Sequence, residues 1–325
     1  MKLQQLKYIT EVAKHDLNVS ATAESLFTSQ PGISKQIRLL EDELGIQIFV
    51  RSGKHLTQVT PPGKLVLAIA NQILTQTGQI QTIAKEFSNQ KEGKLSIATT
   101  NTQARYDLPG IIESFNQQYP KVILQMHQGS PAQITDFAEK GEVDFAIATE
   151  PFTSNEMVML PCYRWNRCIL VPKGHALTRR NTVALTELAN HPLITYVKGF
   201  AERSELDRVF QEAELEPEIV FAATDADVIK TYVRLGLGVG VISQMAYDPE
   251  LDTDLVMIEA RNLFQDNIAY IGFTRTLYFR QYMFDFIEQL APHLTTELIQ
   301  LAQATKNNDA VSKLLLDVNL PLRGH

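Results

Sequence analysis

Apolar positions in the first 45 residues recur at helical spacing and are interrupted twice. Leu3, Leu6, Ile9, Val12 and Ala13 form one stripe. His15-Asp16-Leu17-Asn18 ends it, and Asn18 or Ser20 is placed to cap a shorter second helix carrying Ala21, Ala23, Leu26 and Phe27. Thr28 and Ser29 offer capping side chains for a third helix, and Pro31 falls in its first turn, where a missing N–H costs nothing. Ile33, Ile37, Leu40 and Leu44 make its apolar stripe, and Gly45 closes it. Ile48 and Phe49, a turn at Ser52-Gly53-Lys54, then Leu56 and Val59 read as a short hairpin. Thr60-Pro61-Pro62-Gly63 starts a long helix that runs to about Phe87. Val66, Ile73, Ile80 and Phe87 fall every seven residues along it, with Ile69 and Ile83 beside them. That spacing predicts a coiled-coil-like seam about 40 Å long. The polar run Ser88 to Lys94 reads as a hinge.

From Leu95 the pattern changes. Short apolar runs at 95–99, 122–127, 144–148, 168–172, 193–196, 219–223, 239–242 and 268–273 predict strands, with helical stretches at 107–118, 132–140, 203–213 and 225–235. Such alternation predicts α/β layers with largely parallel pairing. Eight strands in this length suit two subdomains, about 95–163 plus 267–300 and 164–266. Ligands of such sheets bind at the carboxyl ends of strands. Polar clusters stand there: Thr100 to Gln103, Gln128 to Pro131, Thr149-Glu150 and Thr224-Asp225. Hydroxyls, an amide and helix N-termini make a cradle for a small anion, although each cluster alone reads as an ordinary helix cap.

Composition narrows the classes. The formal charge is −7, which excludes a generally basic coat, so any nucleic-acid contact must be local. The face of the third helix opposite its stripe carries Ser29, Gln30, Ser34, Lys35 and Arg38, short hydrogen-bonding groups with cations behind them. A helix entering a DNA major groove needs such a face. An ordinary solvated face or a plain three-helix bundle reads the same way from pattern alone. Arg51 and Lys54 on the hairpin are placed to reach phosphate. The start of the chain lacks the apolar core of a secretory signal, and no stretch approaches the roughly 18 apolar residues of a membrane span, so a cytoplasmic protein is expected. Cys162 and Cys168 fit neither a CxxC pair nor a zinc framework, and no two of the seven His form HxH or HxxxH pairs. Neither a metal nor a cofactor is expected.

The run AESLFTSQPGISKQIRLLEDELGIQIFVRSGKHLTQVTPPG, Ala23 to Gly63, resembles without a gap the winged-helix signature of LysR-type transcriptional regulators. ATTNTQARY, MHQGSP, DFAIATE, MLPCYRWNR and TDADVIKTYVRLGLGVGV resemble the effector domain of the CysB type within that family. The resemblance implies an N-terminal winged helix-turn-helix (1–60), a linker helix for dimerisation (61–87), a hinge (88–94) and a bilobal effector domain like a periplasmic binding protein (95–325). It implies double-stranded promoter DNA as partner, read by Thr28, Ser29, Gln30, Pro31, Ser34, Lys35 and Arg38 with Arg51 and Lys54. It implies self-association as a dimer or tetramer, and RNA polymerase as a further partner. It also implies N- or O-acetylserine as effector, with sulfate or thiosulfate competing, at Thr100, Thr102, Gln103, Thr149, Trp165 and Thr224. Two departures bear on that ligand. Asn101 stands where the type carries His in Thr-Thr-His-Thr-Gln, and Ala201-Glu202 stand for Thr-Gly in Gly-Phe-Thr-Gly-Arg. The missing hydroxyl at Ala201 is expected to weaken effector binding.

Other readings are weaker. Gly236, Gly238 and Gly240 follow a helix and precede a strand, the reverse of a dinucleotide motif. Asp225 and Asp227 read as a helix cap and a first-turn acid rather than an acid/base pair. A solute-binding receptor fits residues 95–300 alone but not the attached winged helix, and no nucleophile, metal set or phosphate loop supports an enzyme. Regulation of sulfur assimilation and cysteine biosynthesis is the expected function, with the paralogous sulfur-starvation regulator as the alternative.

Overall fold

The structure, a computed structural model, describes the chain apart from Lys54, 87–91, Thr153, Asn155, Asn181, 316–317 and 324–325, and apart from the side chains of Gln79 and 81–86. The wing-tip Lys54, seam positions Ile83 and Phe87, and hinge residues 88–91 therefore lie outside the described residues. The chain divides into two compact units, Met1–Asn89 and Gln90–His325.

The first unit runs α1 (Leu3–Lys14), α2 (Val19–Ser25), α3 (Gln30–Leu44), β1 (Phe49–Ser52), β2 (His55–Val59) and α4 (Pro61–Glu86). Asn18 Oδ1 caps α2 by accepting the Ser20 and Ala21 N–H groups, Ser29 Oγ caps α3 by accepting from Gly32, and Gly45 ends α3 with φ +68°. Ile9, Val12, Ile33, Ile37 and Leu40 are fully buried between these helices. Truncating one such side chain to Ala costs about 2–5 kcal/mol. Glu41 ties the hairpin to α3. Its Oε1 accepts the N–H groups of Ile48 at 2.9 Å and Phe49 at 3.1 Å, and its Oε2 pairs with Arg51 Nη2. Thr60 Oγ1 accepts from Gly63 N–H at 3.0 Å and caps α4. Gly63 is required there, since a Cβ would lie 2.2 Å from the Ile48 carbonyl oxygen.

The expected seam on α4 is divided between two faces. Ala70 is buried in the winged-helix core, and Val66, Leu67, Ile73 and Leu74 pack against that core. Leu65, Ile69 and Ile80 stay 57–70% exposed. A seven-residue spacing drifts around a straight helix, so Val66 and Ile73 turn toward their own domain while Leu65, Ile69 and Ile80 form the open stripe.

The second unit runs β3 (Glu92–Thr99), α5 (Pro109–Gln118), β4 (Lys121–Gln128), α6 (Pro131–Glu139), β5 (Phe145–Ala148), β6 (Met157–Trp165), β7 (Arg167–Pro172), α7 (Leu185–Leu188), β8 (Leu193–Tyr196), α8 (Ala201–Glu212), β9 (Ile219–Ala223), α9 (Ala226–Arg234), β10 (Val239–Ser243), β11 (Leu255–Glu259), β12 (Asn267–Thr274), α10 (Gln281–Leu290), α11 (Thr296–Ala304), α12 (Asn308–Leu314) and β13 (Leu322–Arg323). One sheet has the order β13-β6-β12-β5-β3-β4 and the other β11-β7-β10-β8-β9. In each, three parallel strands (β4, β3, β5 and β9, β8, β10) meet antiparallel neighbours. Residues 92–94, expected in the hinge, extend β3 because they pair with 121–123 of β4.

The chain crosses between the sheets at Asn166 and again at 260–266. Asn166 Nδ2 donates to Phe264 O at 3.1 Å and Asp266 Oδ1 at 2.8 Å, which fastens one crossing to the other. The Gly236–Gly240 run serves packing. A Cβ on Gly238 would meet the Pro192 carbonyl oxygen at 2.4 Å, and Gly236 has φ +75° just after α9.

Replacing Glu41 by Ala strands the Ile48 and Phe49 N–H groups and leaves Arg51 unpaired. We expect a loss of about 3 kcal/mol in the first unit, read as an earlier first transition in urea unfolding. An unchanged transition would mean that apolar contacts alone hold the hairpin.

Candidate nucleic-acid surface and ligand cleft

The cap geometry of α3 leaves its first turns open on one side. Thr28, Ser29, Gln30, Pro31, Lys35 and Arg38 are exposed and Ser34 is half-buried. Among the described residues, no ion pair or side-chain hydrogen bond engages Gln30, Lys35 or Arg38. Arg51 differs from the expectation. Its guanidinium turns inward to the buried Glu41 carboxylate, so a phosphate there would compete with an existing ion pair. Phe27 also departs from the sequence reading. It lies outside α2, with φ +49° and 98% of its surface exposed, beside Thr28. A large aromatic side chain held outward in left-handed backbone is costly unless something covers it. Its helical spacing after Ala23 hid this, because the turn conformation leaves no mark in the apolar pattern.

In the second unit, the segment after β3 gathers most of the expected ligand residues. Thr100, Thr102 and Gln103 are all buried. Gln103–Asp107 forms one turn of π-helix, closed by Leu108 N–H to Gln103 O at 3.0 Å. Single π-turns of this kind recur at functional sites. Gln103 Oε1 accepts from Thr99 Oγ1 at 2.9 Å and Thr100 Oγ1 at 3.3 Å, while its Nε2 lies 3.5 Å from the Tyr163 hydroxyl. Thr102 Oγ1 lies 3.5 Å from Tyr196 OH at the end of β8, so one threonine spans from one sheet to the other. Burial pushes the phenols of Tyr163 and Tyr196 well above their usual range, and both remain hydroxyls that donate one proton.

Thr149 is half-buried just after β5. Ile97 and Ala98 pair with Phe145 and Ala146, and continuing that register sets Thr149 level with Asn101. Thr224 is exposed after β9 and shares no hydrogen bond with this cluster among the described residues. Trp165 is fully buried, on the same face of β6 as Tyr163, with the Arg167 guanidinium 5.2 Å from its ring. Among the described residues its Nε1 has no partner, and neither does the buried Ser243 Oγ at the end of β10. Buried donors are rarely left unpaired, and such exceptions need a reason. Ala201, the first residue of α8, is buried in the apolar cluster that contains Trp165. A threonine there would need room in a packed core as well as a partner.

Tyr163, Tyr196, Asp107, Arg167, Glu202 and Ser243 were not among the expected ligand residues. Their neighbours in the chain are ordinary strand and helix positions, so only the fold brings them together. Arg167 is wholly buried and donates to Ala201 O, Glu202 O and Asn267 Oδ1 at 2.7–3.1 Å. A guanidinium carries five N–H groups, so these bonds do not exhaust it. Glu202 is buried beside it, and desolvation pushes its carboxyl up against the opposing pull of its own N–H and of Arg167. Its field reaches Tyr196 and Glu150.

The π-turn also joins the sheets from its other side. Tyr106 OH donates to Asp227 Oδ1 at 2.6 Å, and Arg105 Nε pairs with Asp227 Oδ2 at 2.8 Å. Asp225 caps α9 through the Asp227 and Val228 N–H groups. Both carboxylates thus hold structure. Cys162 and Cys168 are buried, and burial pushes both thiols up, the second to about 12. Among the described residues no group of three or more His, Cys, Asp and Glu is placed to hold a metal, and no helix is long and apolar enough to cross a membrane.

Comparison with known proteins agrees with this division. Residues 3–64 match the bacterial regulatory helix-turn-helix protein, lysR family, and residues 88–294 match the LysR substrate binding domain. The chain is 49% identical over 98% of its length, and 99% of the relative's, to the HTH-type transcriptional regulator CysB of Haemophilus influenzae. It is 44% identical to the regulator SsuR of Burkholderia cenocepacia, over 90% of this chain and 96% of that one. The solved cofactor-binding domain of the Cbl transcriptional regulator superposes with a TM-score of 0.63 at 37% identity, covering 66% of this chain and 95% of that one. CbnR complexed with its target DNA shares the fold at a TM-score of 0.63 and 20% identity, over 89% of this chain and 99% of that one. Two domain models and relatives aligned nearly end to end place the chain in the LysR family of bacterial DNA-binding transcriptional regulators, which are not enzymes.

Proposed function

We propose that this regulator controls sulfur-assimilation and cysteine-biosynthesis genes by binding their promoters under the control of acetylserine. The observation that carries this reading is the buried Thr100–Thr102–Gln103 cluster, whose Thr102 meets Tyr196 of the other sheet. A small ligand seated there would favour one orientation of the two subdomains over another, which is what an effector must do. Identity to regulators named CysB, over nearly the whole chain, supports the sulfur assignment. The relatives named SsuR and Cbl keep the sulfur-starvation paralogue as the second reading. Genome-wide mapping of bound promoters separates the two.

The ligand chemistry follows from the side chains gathered around the π-turn. Threonine hydroxyls, the Gln103 amide and the unpartnered Trp165 and Ser243 groups suit a carboxylate or sulfate. Glu202, buried beside Tyr196, adds a carboxyl that an incoming ammonium would draw to its charged form. O-acetylserine carries both groups, whereas sulfate and thiosulfate offer only the anion. Thr224, exposed after β9, would contribute only at the outer edge. Calorimetry with acetylserine on the wild type and on Thr102→Val tests the site. The variant should lose about 1 kcal/mol, roughly fivefold in Kd. Equal affinity would remove Thr102 from the site.

On the DNA side, Gln30, with Ser29, Ser34 and Arg38, is assigned to base edges, and Thr28, Lys35, Lys54 and the Pro31 turn to the backbone. Phe27 has the apolar surface for a thymine methyl or a sugar. Arg51 is assigned to phosphate only if the phosphate displaces Glu41. Gln30→Ala should cost about 1–3 kcal/mol on cognate sites and little on random DNA in mobility-shift titrations. Equal losses on both would refute base reading.

Self-association is assigned to the open stripe of α4, with a dimer or tetramer as the binding species and RNA polymerase as a later partner. The double change Ile69→Asp and Ile80→Asp should lower the mass in light scattering and abolish promoter binding. Ile73→Asp should instead lower the melting temperature of the first unit, because that residue packs inward. Retained mass and DNA binding in the double variant would refute the assignment.

A further inference from the structure

The last described strand does more than cover an edge. β13 pairs in parallel with β6, and Arg164 donates to Pro321 O at 2.7 Å and to Leu320 O at 3.2 Å. Closing the open side of β6 needs only this backbone pairing. The Arg323 side chain goes further inward. Its guanidinium lies 4.3 Å from the Tyr163 ring centroid, pairs with Asp107 Oδ1 and donates to Leu290 O.

Asp107 is 4% exposed at its side chain, and among the described residues Arg323 is the one cation paired with it. Its other oxygen, Oδ2, accepts the Tyr163 hydroxyl proton at 2.6 Å. A phenol has one proton to give. With that proton committed to Asp107, the Tyr163 oxygen can only accept from Gln103. The Gln103 amide must then turn its NH2 toward Tyr163 and its carbonyl toward Thr99 and Thr100, the arrangement found. One Gln103 N–H is left over for a ligand. Without the guanidinium, Asp107 Oδ1 loses the ion pair that holds the carboxylate against Tyr163, and the side chain can turn away from the phenol. Once Asp107 no longer accepts it, the Tyr163 proton can go to Gln103, and the amide can flip to present its carbonyl.

We propose that Arg323 is a positioning residue of the effector site, which holds the Asp107 carboxylate against the Tyr163 hydroxyl and thereby sets the Gln103 amide as a hydrogen-bond donor toward the ligand. This rests on the acetylserine reading above. The polar relay Arg323, Asp107, Tyr163, Gln103 ties an element more than 200 residues away in sequence to the π-turn after β3.

The test separates a relay from a simple staple. Full-length Arg323→Ala and Tyr163→Phe are compared, since Tyr163→Phe keeps the ring under Arg323 and removes only the hydroxyl. Calorimetry with acetylserine should show each variant binding about tenfold more weakly, with Arg323→Lys restoring most of the loss. Arg323→Ala combined with Gln103→Ala should bind no more weakly than Gln103→Ala alone. Wild-type affinity in Tyr163→Phe, or additive losses in the double variant, would overturn the relay. A wild type that binds no acetylserine refutes the effector reading instead, and the relay is then read without ligand. Hydrogen exchange of the Ala104 and Leu108 amides, bonded to Thr100 O and Gln103 O, should quicken in both single variants. Quickening in Arg323→Ala alone, or in neither, would overturn the proposal. The same hydrogen-exchange measurement covers an Arg323→Ala chain that fails to fold, because Tyr163→Phe removes a single buried atom.

Discussion

One turn of backbone, Gln103–Asp107, is the constraint on which the second unit depends. Its side chains leave in three directions. Gln103 meets the threonines and Tyr163, Tyr106 and Arg105 reach Asp227 on α9, and Asp107 meets Arg323 of β13. An α-helical turn advances about 100° per residue, and the wider π-turn spaces its side chains differently. With the extra residue, Gln103 and Asp107 both come to rest on the single hydroxyl of Tyr163. A change felt at Thr100 or Thr102 is therefore also felt where the first sheet touches the second.

The crossings between sheets are the other half of this arrangement. Arg167 and Asn166 stand where the chain passes from β6 to β7, and both are buried. Asn166 fastens the two crossing segments, while Arg167 holds the first carbonyls of α8. Burial lowers the basicity of Arg167, yet its group stays charged, because a guanidinium starts far above neutrality. Any relative rotation of the two sheets has to take place around these residues. Lys230, buried against Asp252 and the Ala246 carbonyl and 5.0 Å from the Tyr106 ring centroid, gives the second sheet a comparably fixed contact with the π-turn.

Much of this was legible in the chain, and the reasons for what was not are physical. The eight runs read as strands are strands, and the caps Asn18, Ser29 and Gly45 are where local hydrogen-bonding chemistry put them. β6 was missed because Pro161 interrupts it, and proline in a strand argues against one. The structure accommodates it at an irregularity, where the register with β12 shifts beside Pro161. α10 was open to a helical reading, since Tyr282, Met283, Phe286, Ile287 and Leu290 recur at helical spacing and are the residues it buries. At the site, threonines and Gln103 could be found because they follow a strand directly. Tyr163, Arg167 and Arg323 could not, because each earns its role from a partner 34 or more residues away.

The linker helix shows how one pattern can serve two purposes. The seven-residue spacing of Val66, Ile73 and Ile80 looks like a single seam, yet the helix must also bury Ala70 against its own domain. Once Ala70 faces inward, rotation along the helix decides the rest. Leu67 and Leu74 follow it toward the core, Val66 and Ile73 lie at the boundary, and Leu65, Ile69 and Ile80 face outward. Three large aliphatic side chains this exposed on one helix are an uncommon use of apolar surface. Because the same helix is anchored at Gly63 and Ala70 to the domain that carries α3, a partner seated on its open stripe would fix the spacing between two recognition helices without touching either one.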